Sequence, residues 1–360
     1  MSARVEADIA KARSRSTQPR DKPTTAGLAE SAYGLAKSAV TTRSSEHDMR
    51  ATRFLLLAIV AGCLSLEAGL EAKAAEYGFS TYVLGQNAFS AGVTPPPGTY
   101  VTSATGLYTA NIGRTVEFGG VTLGAGATVD LNISAINGLY VFDHKVFGGN
   151  LGVSATVPVG FINIDAMVTA GVLSAQRSTE GGGLGDIVSK VQLGWQHGEF
   201  SHTMYVQAVA PTGRYETGFN PIIGLHRPGI DTGWAFTWAN KATSLQWNGA
   251  LGVTFNFENT ATDYKTGNEF HFEWAIGYEL GPGLVVGLVG YDYRQLTGDS
   301  GSGDHLGPFR GSVDAIGLGA SGTTLLGAMP IIINVRGYKE FNAENRWEGY
   351  SSTMSATIRF

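Results

Sequence analysis

Cysteine is almost missing from this sequence, and so is any hydrophobic run long enough to cross a membrane as a helix. Cys63 is the only cysteine, so disulfides, cysteine metal sites and cysteine nucleophiles are excluded from residue 76 onward. The longest apolar run, Phe54 to Leu66, has 13 residues, whereas a spanning helix needs about 20. No later segment is therefore expected to cross a bilayer as a helix.

Positive charge is also scarce in the larger part of the chain. Residues 76–360 contain 14 Lys and Arg against 22 Asp and Glu, a net charge of −8. Nucleic-acid binding requires clustered positive charge, so no nucleic-acid partner is expected. Glycine and aromatic residues are abundant, with 50 Gly, 17 Phe and 14 Tyr. This composition favours strands and tight turns, because Gly adopts turn conformations and aromatic rings suit pleated surfaces.

Residues 49–75 have the layout of an export signal. A short basic stretch begins at Met49, the apolar run follows, and Ala72-Lys73-Ala74 forms a small-x-small cleavage site. Residues 1–48, rich in Ser, Ala, Thr, Lys and Arg without apolar periodicity, are interpreted as a disordered extension or as sequence upstream of a true start at Met49. Residues 76–360 then form the exported domain.

Cys63 allows two interpretations. It ends Val60-Ala61-Gly62-Cys63, which resembles the lipobox at which bacterial lipoproteins are cut and acylated. The alternative is a small apolar residue inside the core of the signal, and the better cleavage site downstream favours this one.

Strict alternation of apolar and polar residues is the strongest structural signal. It extends from Ser244 to Phe257, and from Glu269 to Leu280 it gives one oily and one acidic face. Turn-like junctions occur at Asn137-Gly138, Gly148-Gly149-Asn150 and Gly281-Pro282-Gly283. With weaker strands elsewhere, including two between Gly78 and Gly124, we predict an all-β antiparallel transmembrane barrel of about 12 strands, within a range of roughly 10 to 14. Weaker alternation occurs at residues 129–140, 151–157, 162–172, 188–196, 202–210, 284–295, 310–320 and 331–341.

The chain ends decide which face of the sheet is outside. An export signal precedes the strands, and the last strand alternates to a terminal Phe360. An aromatic carboxyl terminus resembles the assembly signal of outer-membrane barrels. We therefore expect a bacterial outer-membrane protein with an apolar face toward lipid, and the barrel-assembly machinery as a partner. Aromatic residues near strand ends are expected in interfacial girdles: Trp234, Trp238, Trp247, Tyr291, Tyr293 and Trp347.

Four segments of the predicted barrel carry a family resemblance. They are Pro95-Pro96-Pro97-Gly98-Thr99-Tyr100, Ala210-Pro211-Thr212-Gly213-Arg214-Tyr215, residues 258–271 and residues 290–301. These segments resemble the outer-membrane β-barrel family called "Putative MetA-pathway of phenol degradation", and the resemblance extends over nearly all of residues 76–360. It implies a transporter-like barrel associated with uptake of small aromatic or other hydrophobic solutes.

Charged residues on the strands are the candidate site. On a lipid-facing surface each would cost about 2–4 kcal/mol, so the following are expected to line the lumen: Glu269, His271, Glu273, Asp292, Arg294, Arg310, Asp314, Arg336 and Glu340. They either pair across strands as a structural ladder, which we favour, or form a charged constriction for permeation. Residues 78–98 are a candidate inward plug.

Motifs for catalysis or metal binding are weak. Gly181-Gly182-Gly183-Leu184-Gly185-Asp186 has Asp where dinucleotide binding requires Gly, and residues 298–304 are better interpreted as a turn than as a calcium loop. No catalytic residue, cofactor or metal is predicted. The expected function is an outer-membrane channel for small hydrophobic or aromatic compounds. The alternatives are a structural or adhesive barrel with a closed lumen and, less favoured, a barrel lipid hydrolase.

Overall fold

The computed structural model describes residues 78–360 except 119–120, 171–172, 217–222, 305–307 and 328. The N-terminal extension, the export signal and Cys63 lie outside the described residues, so the interpretations of these segments stay predictions. Within the described ranges, no helix is long and apolar enough to cross a membrane.

The described residues form thirteen strands in one antiparallel sheet that closes on itself. Strand β1 pairs with both β2 and β13, and β2 pairs with β3. β4 and β5 pair with successive parts of β3 and share one position in the wall, so the result is the predicted closed barrel of 12 strands. The strands are β1 Gly98–Phe118, β2 Val121–Val146, β3 Gly149–Ala170, β4 Leu173–Leu184, β5 Ile187–His197, β6 Phe200–Ala210, β7 Gly229–Asn240, β8 Leu245–Asn256, β9 Glu269–Gly281, β10 Leu284–Gln295, β11 Ser312–Leu326, β12 Met329–Glu344 and β13 Glu348–Arg359.

Several strand boundaries differ from the sequence prediction. Asn137-Gly138 is no turn, because Gly138 pairs with Val101 on one side and Ala155 on the other, inside β2. The two strands expected between residues 151 and 172 are one continuous β3. Only β1 forms between residues 78 and 118, since residues 78–97 are not a strand. β4, rich in Gly and polar residues, was not predicted.

The two ends of the barrel differ in the length of their connections. Tight turns join β2 to β3, β5 to β6, β7 to β8, β9 to β10 and β11 to β12. The described parts of the longer connections, residues 211–216, 223–228, 257–268, 296–304 and 308–311, form loops at the other end. Both Gly98 and Phe360 lie at the end with the tight turns. The two ends are named the short-turn end and the loop end after these connections. In bacterial barrels short turns face the periplasm and long loops face outward.

Side chains alternate between an apolar outer face and a largely polar inner face. Exposed outer residues occur on nearly every strand, for example Met204, Leu251, Leu288, Leu318 and Met354. Trp238 and Trp247 are paired and exposed at the short-turn end, where an interfacial girdle is expected. The apolar outer face is suited to lipid.

Residues 78–97, named the lumen segment, run through the barrel from one end to the other. Phe79 stacks on Trp347, in the turn between β12 and β13 at the loop end, with ring centroids 6.1 Å apart. Near the short-turn end the Thr94 hydroxyl lies 2.9 Å from that of Thr203 on β6. The segment then joins β1 at Gly98. It occupies the position expected of an inward plug.

Replacing Phe360 by Ser, or deleting it, is expected to lower the amount of folded barrel in the outer membrane without changing export across the inner membrane. The Phe360 side chain is 72% exposed, so folded-state stability should change by only about 0.5 kcal/mol. Heat-modifiable protein in outer-membrane fractions measures the effect. Leu325→Ser, at an exposed apolar position near the same end, is the control. Equal amounts of folded wild-type and Phe360→Ser protein would contradict the prediction.

The path of the lumen segment predicts that its N-terminal end is accessible from outside the cell. A cysteine inserted directly before Gly78 should react with a membrane-impermeant maleimide on intact cells, as should Ser302→Cys in a loop at the loop end. Lys241→Cys, exposed in the turn between β7 and β8, should react only after the cells are broken. Labelling of the inserted cysteine only in broken cells would show that the segment runs differently.

Candidate functional site

The carboxylate of Glu273 on β9 binds the backbone of the lumen segment. Its Oε1 accepts hydrogen bonds from the N–H groups of Gly85 at 2.6 Å and Gln86 at 3.1 Å, and its Oε2 accepts from the Asn87 N–H at 2.9 Å and the Tyr82 hydroxyl at 3.1 Å. Glu273 is 1% exposed. Charged acceptors form the stronger hydrogen bonds in proteins, so this one side chain fixes residues 82–87 against the wall.

Arg336 on β12 binds the same peptides from their carbonyl side. Its Nη1 donates to the carbonyl oxygens of Gly85 at 3.0 Å and Gln86 at 2.7 Å. Gly85 has a φ of +78°, and a Cβ there would lie 2.9 Å from the Tyr338 ring, so only glycine fits. We name Glu273, Arg336 and residues 85–87 the clasp. It holds the peptide N–H groups with an anion and the peptide carbonyls with a cation.

A buried hydrogen bond between a histidine and a carboxylate lies beside the clasp. His271 Nε2 is 2.9 Å from Asp231 Oδ2, and both side chains are 1% exposed. The Thr254 hydroxyl donates to the same carboxylate oxygen at 2.8 Å. The Tyr82 ring stacks on His271 with centroids 3.5 Å apart and planes at 16°. The lumen segment therefore packs directly on this inward histidine–carboxylate pair.

Toward the short-turn end the segment is held by uncharged polar groups. The N–H of Ser90 donates to Asn248 Oδ1 at 2.9 Å, and the N–H of Gly92 donates to the Thr237 hydroxyl at 3.0 Å. A Cβ at Gly92 would lie 2.4 Å from the Phe236 Cα in the wall. The segment lies so close to the barrel backbone at this point that a side chain is excluded.

An apolar cluster surrounds the segment near the loop end. Phe79 and Trp347 pack with Val129 and Ile162 from the wall. Ser80 donates to Glu269. The loop end therefore contains one of the two buried apolar clusters of the described residues.

The outer loops contact one another through Asp299. Its carboxylate accepts hydrogen bonds from the Tyr264 hydroxyl at 2.5 Å, the Gly267 N–H at 2.9 Å and the Gln295 side-chain amide at 2.6 Å. Burial, with the Asp299 hydrogen bond, raises the pKa of Tyr264 above its ordinary value. Asp299 belongs to residues 298–304, which are interpreted from the sequence as a turn rather than as a calcium loop. Among the described residues no cluster of three His, Cys, Asp or Glu suits a metal ion.

A cavity of about 330 Å³ lies between the lumen segment and the opposite wall. Residues 86–91, Val93 and Pro95 form its segment side. Its polar and charged wall residues include Lys190, Gln192, Gln207, Asn334 and Arg336. The volume is at the lower end of the range for small-molecule sites.

Five of the nine predicted lumen residues face inward. Glu269, His271 and Glu273 are each 1% exposed on alternate positions of β9. Arg336 reaches the lumen segment, and Glu340 accepts hydrogen bonds from Tyr108 at 2.8 Å and Tyr291 at 2.7 Å. Their contribution to permeation stays a prediction.

The other four do not line the lumen. Asp292 pairs with Phe272 and Arg294 with Phe270, on the outer face of β9 and β10. Arg294 Nη2 lies 2.7 Å from both Asp292 Oδ2 and Asp314 Oδ1. The prediction placed Asp292, Arg294 and Asp314 inside because charges are costly in hydrocarbon. These residues lie at the loop end of their strands, where the charges pair with each other outside that layer.

Four further residues lie elsewhere than predicted, and only the two on β10, Tyr291 and Tyr293, follow from the same reversal. Arg310 precedes β11 and is exposed. Tyr291 and Tyr293, expected in a girdle, are 3% and 1% exposed and face inward, and so is Trp347 at 1%. The inward face of β10 is the opposite of the predicted one, so tyrosine hydroxyls rather than charged groups point into the barrel from that strand.

Sequence reasoning missed several residues that build the interior. Tyr82 belongs to a segment without periodicity, and Lys190 and Asp231 are single charges on strands with weak alternation. Each is the only charged residue on its strand. An isolated charge within a strand was the available signal, since such a charge is expected to face inward.

Comparisons with known proteins agree with the fold. The chain resembles a COG4313 outer membrane channel from Pseudomonas putida F1, with 13% identity over 75% of this chain and 98% of that one, at a TM-score of 0.60. It is also similar to the transport unit of the autotransporter AIDA-I from Escherichia coli, with 10% identity over 82% and 97% of the two chains, at a TM-score of 0.41.

A search of curated protein sequences gave no match.

The closed barrel with its apolar outer face supports an outer-membrane location. The family model described as "Putative MetA-pathway of phenol degradation" matches residues 88–355, which include the second half of the lumen segment and nearly the whole barrel. The chain therefore belongs to this family.

Proposed function

We propose that this protein is an outer-membrane channel for small hydrophobic or aromatic compounds, and that the lumen segment is its gate. The observation that carries the proposal is the clasp. The segment packs on the wall partly through apolar residues such as Ala88 and Phe89. Its backbone at residues 85–87, however, is held by hydrogen bonds to two charged residues, Glu273 and Arg336. Such bonds exchange with water at a modest net cost, so the segment is suited to leave and return.

The family description supports the class of compound, since it refers to phenol degradation. The interior offers a matching route. An apolar cluster around Phe79 and Trp347 lies near the loop end, and the cavity follows on the side of the short turns. A small apolar solute would pass the cluster first and then reach the polar cavity once the segment moves.

A structural barrel with a closed lumen is the second candidate. The same segment favours it, because residues 78–97 run the length of the lumen and Gly92 lies against the wall. The two functions differ in whether the segment can be released. In a closed barrel, weakening the clasp would lower stability without opening a route.

Releasing the clasp is expected to open the barrel. Glu273→Ala leaves three segment N–H groups without their acceptor, at about 1–3 kcal/mol each, and Arg336→Ala removes the donor to two carbonyls. Single-channel recording in planar bilayers should show a several-fold higher conductance for both variants than for wild type. Heat-modifiability of each variant checks folding. Folded variants that conduct no better than wild type would favour the closed structural barrel.

The outward charges provide the matched control for that experiment. Asp292→Asn and Arg294→Gln change charged residues of the same wall, but outside the lumen. They should leave conductance unchanged. A change in conductance as large as that from Glu273→Ala would mean that these side chains line the route, as alternation alone had suggested.

Transport of the proposed solute class is measured in intact cells. We expect cells that produce the barrel to take up labelled phenol faster at early times than cells without it, and Glu273→Ala to raise this initial rate further. Equal initial rates in all three strains, with folded barrel present in each, would contradict a channel for aromatic compounds.

A further inference from the structure

We infer that the lumen cavity binds small aromatic monocarboxylates, with Lys190 as the partner of the carboxylate group. The inference rests on the proposed function and narrows its solute class from hydrophobic or aromatic compounds in general to aromatic anions. It follows from the charge of the cavity, from the contacts of Lys190, and from the apolar groups around it.

The charged residues in the described lining of the cavity are both cations. Lys190 on β5 and Arg336 on β12 line it, and its described lining contains no Asp or Glu. The chain as a whole is acidic after residue 75, so a cavity without carboxylates departs from the average of the protein. In a confined site of low dielectric, two positive charges favour an anion over a neutral or cationic solute.

Lys190 is the cation available for a solute. Arg336 already donates to Gly85 and Gln86 in the clasp. Among the described residues, no carboxylate lies within 4.0 Å of the Lys190 ammonium. Its recorded contact is with the Tyr205 ring, whose centroid is 5.7 Å from Nζ. An enclosed ammonium without a counter-ion is unfavourable, and a bound carboxylate would supply one.

The neighbouring carboxylates hold other partners. Asp231 and Glu273 both act on Lys190 through their charge, yet Asp231 Oδ2 is hydrogen-bonded to His271 and Thr254, and Glu273 accepts four hydrogen bonds from the lumen segment. Asp231 Oδ1 has no hydrogen-bond partner among the described residues, but it lies more than 4.0 Å from the Lys190 ammonium. The arrangement therefore leaves the ammonium facing the cavity.

Apolar groups beside Lys190 favour a ring over a short aliphatic chain. Phe89 and Val93 of the lumen segment line the cavity together with Leu139 of β2 and Tyr205 of β6. The two aromatic rings can pack against a third one by stacked or edge contacts. A single aromatic ring that carries one carboxylate matches both the apolar and the charged parts of this lining.

Calorimetric titration of the folded, purified barrel tests the inference with three probes. Benzoate carries the ring and the charge, benzamide carries the ring without the charge, and acetate carries the charge without the ring. We expect wild type to bind benzoate more tightly than either of the others. Equal binding of benzoate and benzamide would overturn the role of charge, and equal binding of benzoate and acetate would overturn the aromatic class.

Variants of Lys190 locate the site. Lys190→Gln and Lys190→Met should lower benzoate affinity roughly tenfold or more, because a charged hydrogen bond contributes about that factor, and leave benzamide affinity unchanged. Lys339→Gln is the matched control, since Lys339 also lies over a tyrosine ring, Tyr350 at 5.9 Å, but on the outer face. Unchanged benzoate affinity in the Lys190 variants, or an equal loss in Lys339→Gln, would overturn the assignment.

These experiments distinguish a failure of the anion-site proposal from a failure of the channel proposal. A barrel that conducts after clasp release but shows no preference for benzoate would refute the anion site and leave the channel. A barrel that binds benzoate through Lys190 but never conducts would refute the channel and leave the site.

Discussion

The interior depends on one constraint, which is that a backbone without strand partners must satisfy its N–H and carbonyl groups inside a closed wall. The lumen segment meets this constraint through hydrogen bonds to side chains of the strands. Glu273 accepts three successive N–H groups, and Arg336 donates to two successive carbonyls. Because these partners are charged and inward, the barrel carries a polar lumen on the side where the segment lies, and a cavity remains on the other side.

The sequence was sufficient for the architecture because alternation is a property of the whole strand. β9 is the clearest case: its apolar residues face outward, and Glu269, His271 and Glu273 face inward as predicted. The prediction was wrong for β10, where alternation is equally regular but both faces carry polar groups. The rings of Tyr291 and Tyr293 are buried on the inner face. Asp292 and Arg294 form an ion pair on the outer face, at the loop end and beyond the hydrocarbon layer. Depth in the membrane decides that case, and alternation carries no information about depth.

Contacts between distant parts of the chain were harder to foresee. Gly85 and Glu273 meet at 2.6 Å although 188 positions separate them, and the lumen segment has neither a period nor a charge that would indicate a partner. Residues 78–98 could be suggested as a plug only because they precede the first clear strand. Which side chains bind them follows from barrel closure, since closure alone brings β9 and β12 to the same segment.

Among the described residues, the chain links the lumen segment to the wall at Gly98 alone, at the short-turn end. A movement that keeps this link would draw the segment along the barrel axis toward the short-turn end without parting the wall. The pairing of β1 with β13 can therefore stay intact across all twelve of its residue pairs during such a movement. Withdrawal is then opposed by the segment contacts, from the stacking of Phe79 on Trp347 to the hydrogen bond between Gly92 and Thr237.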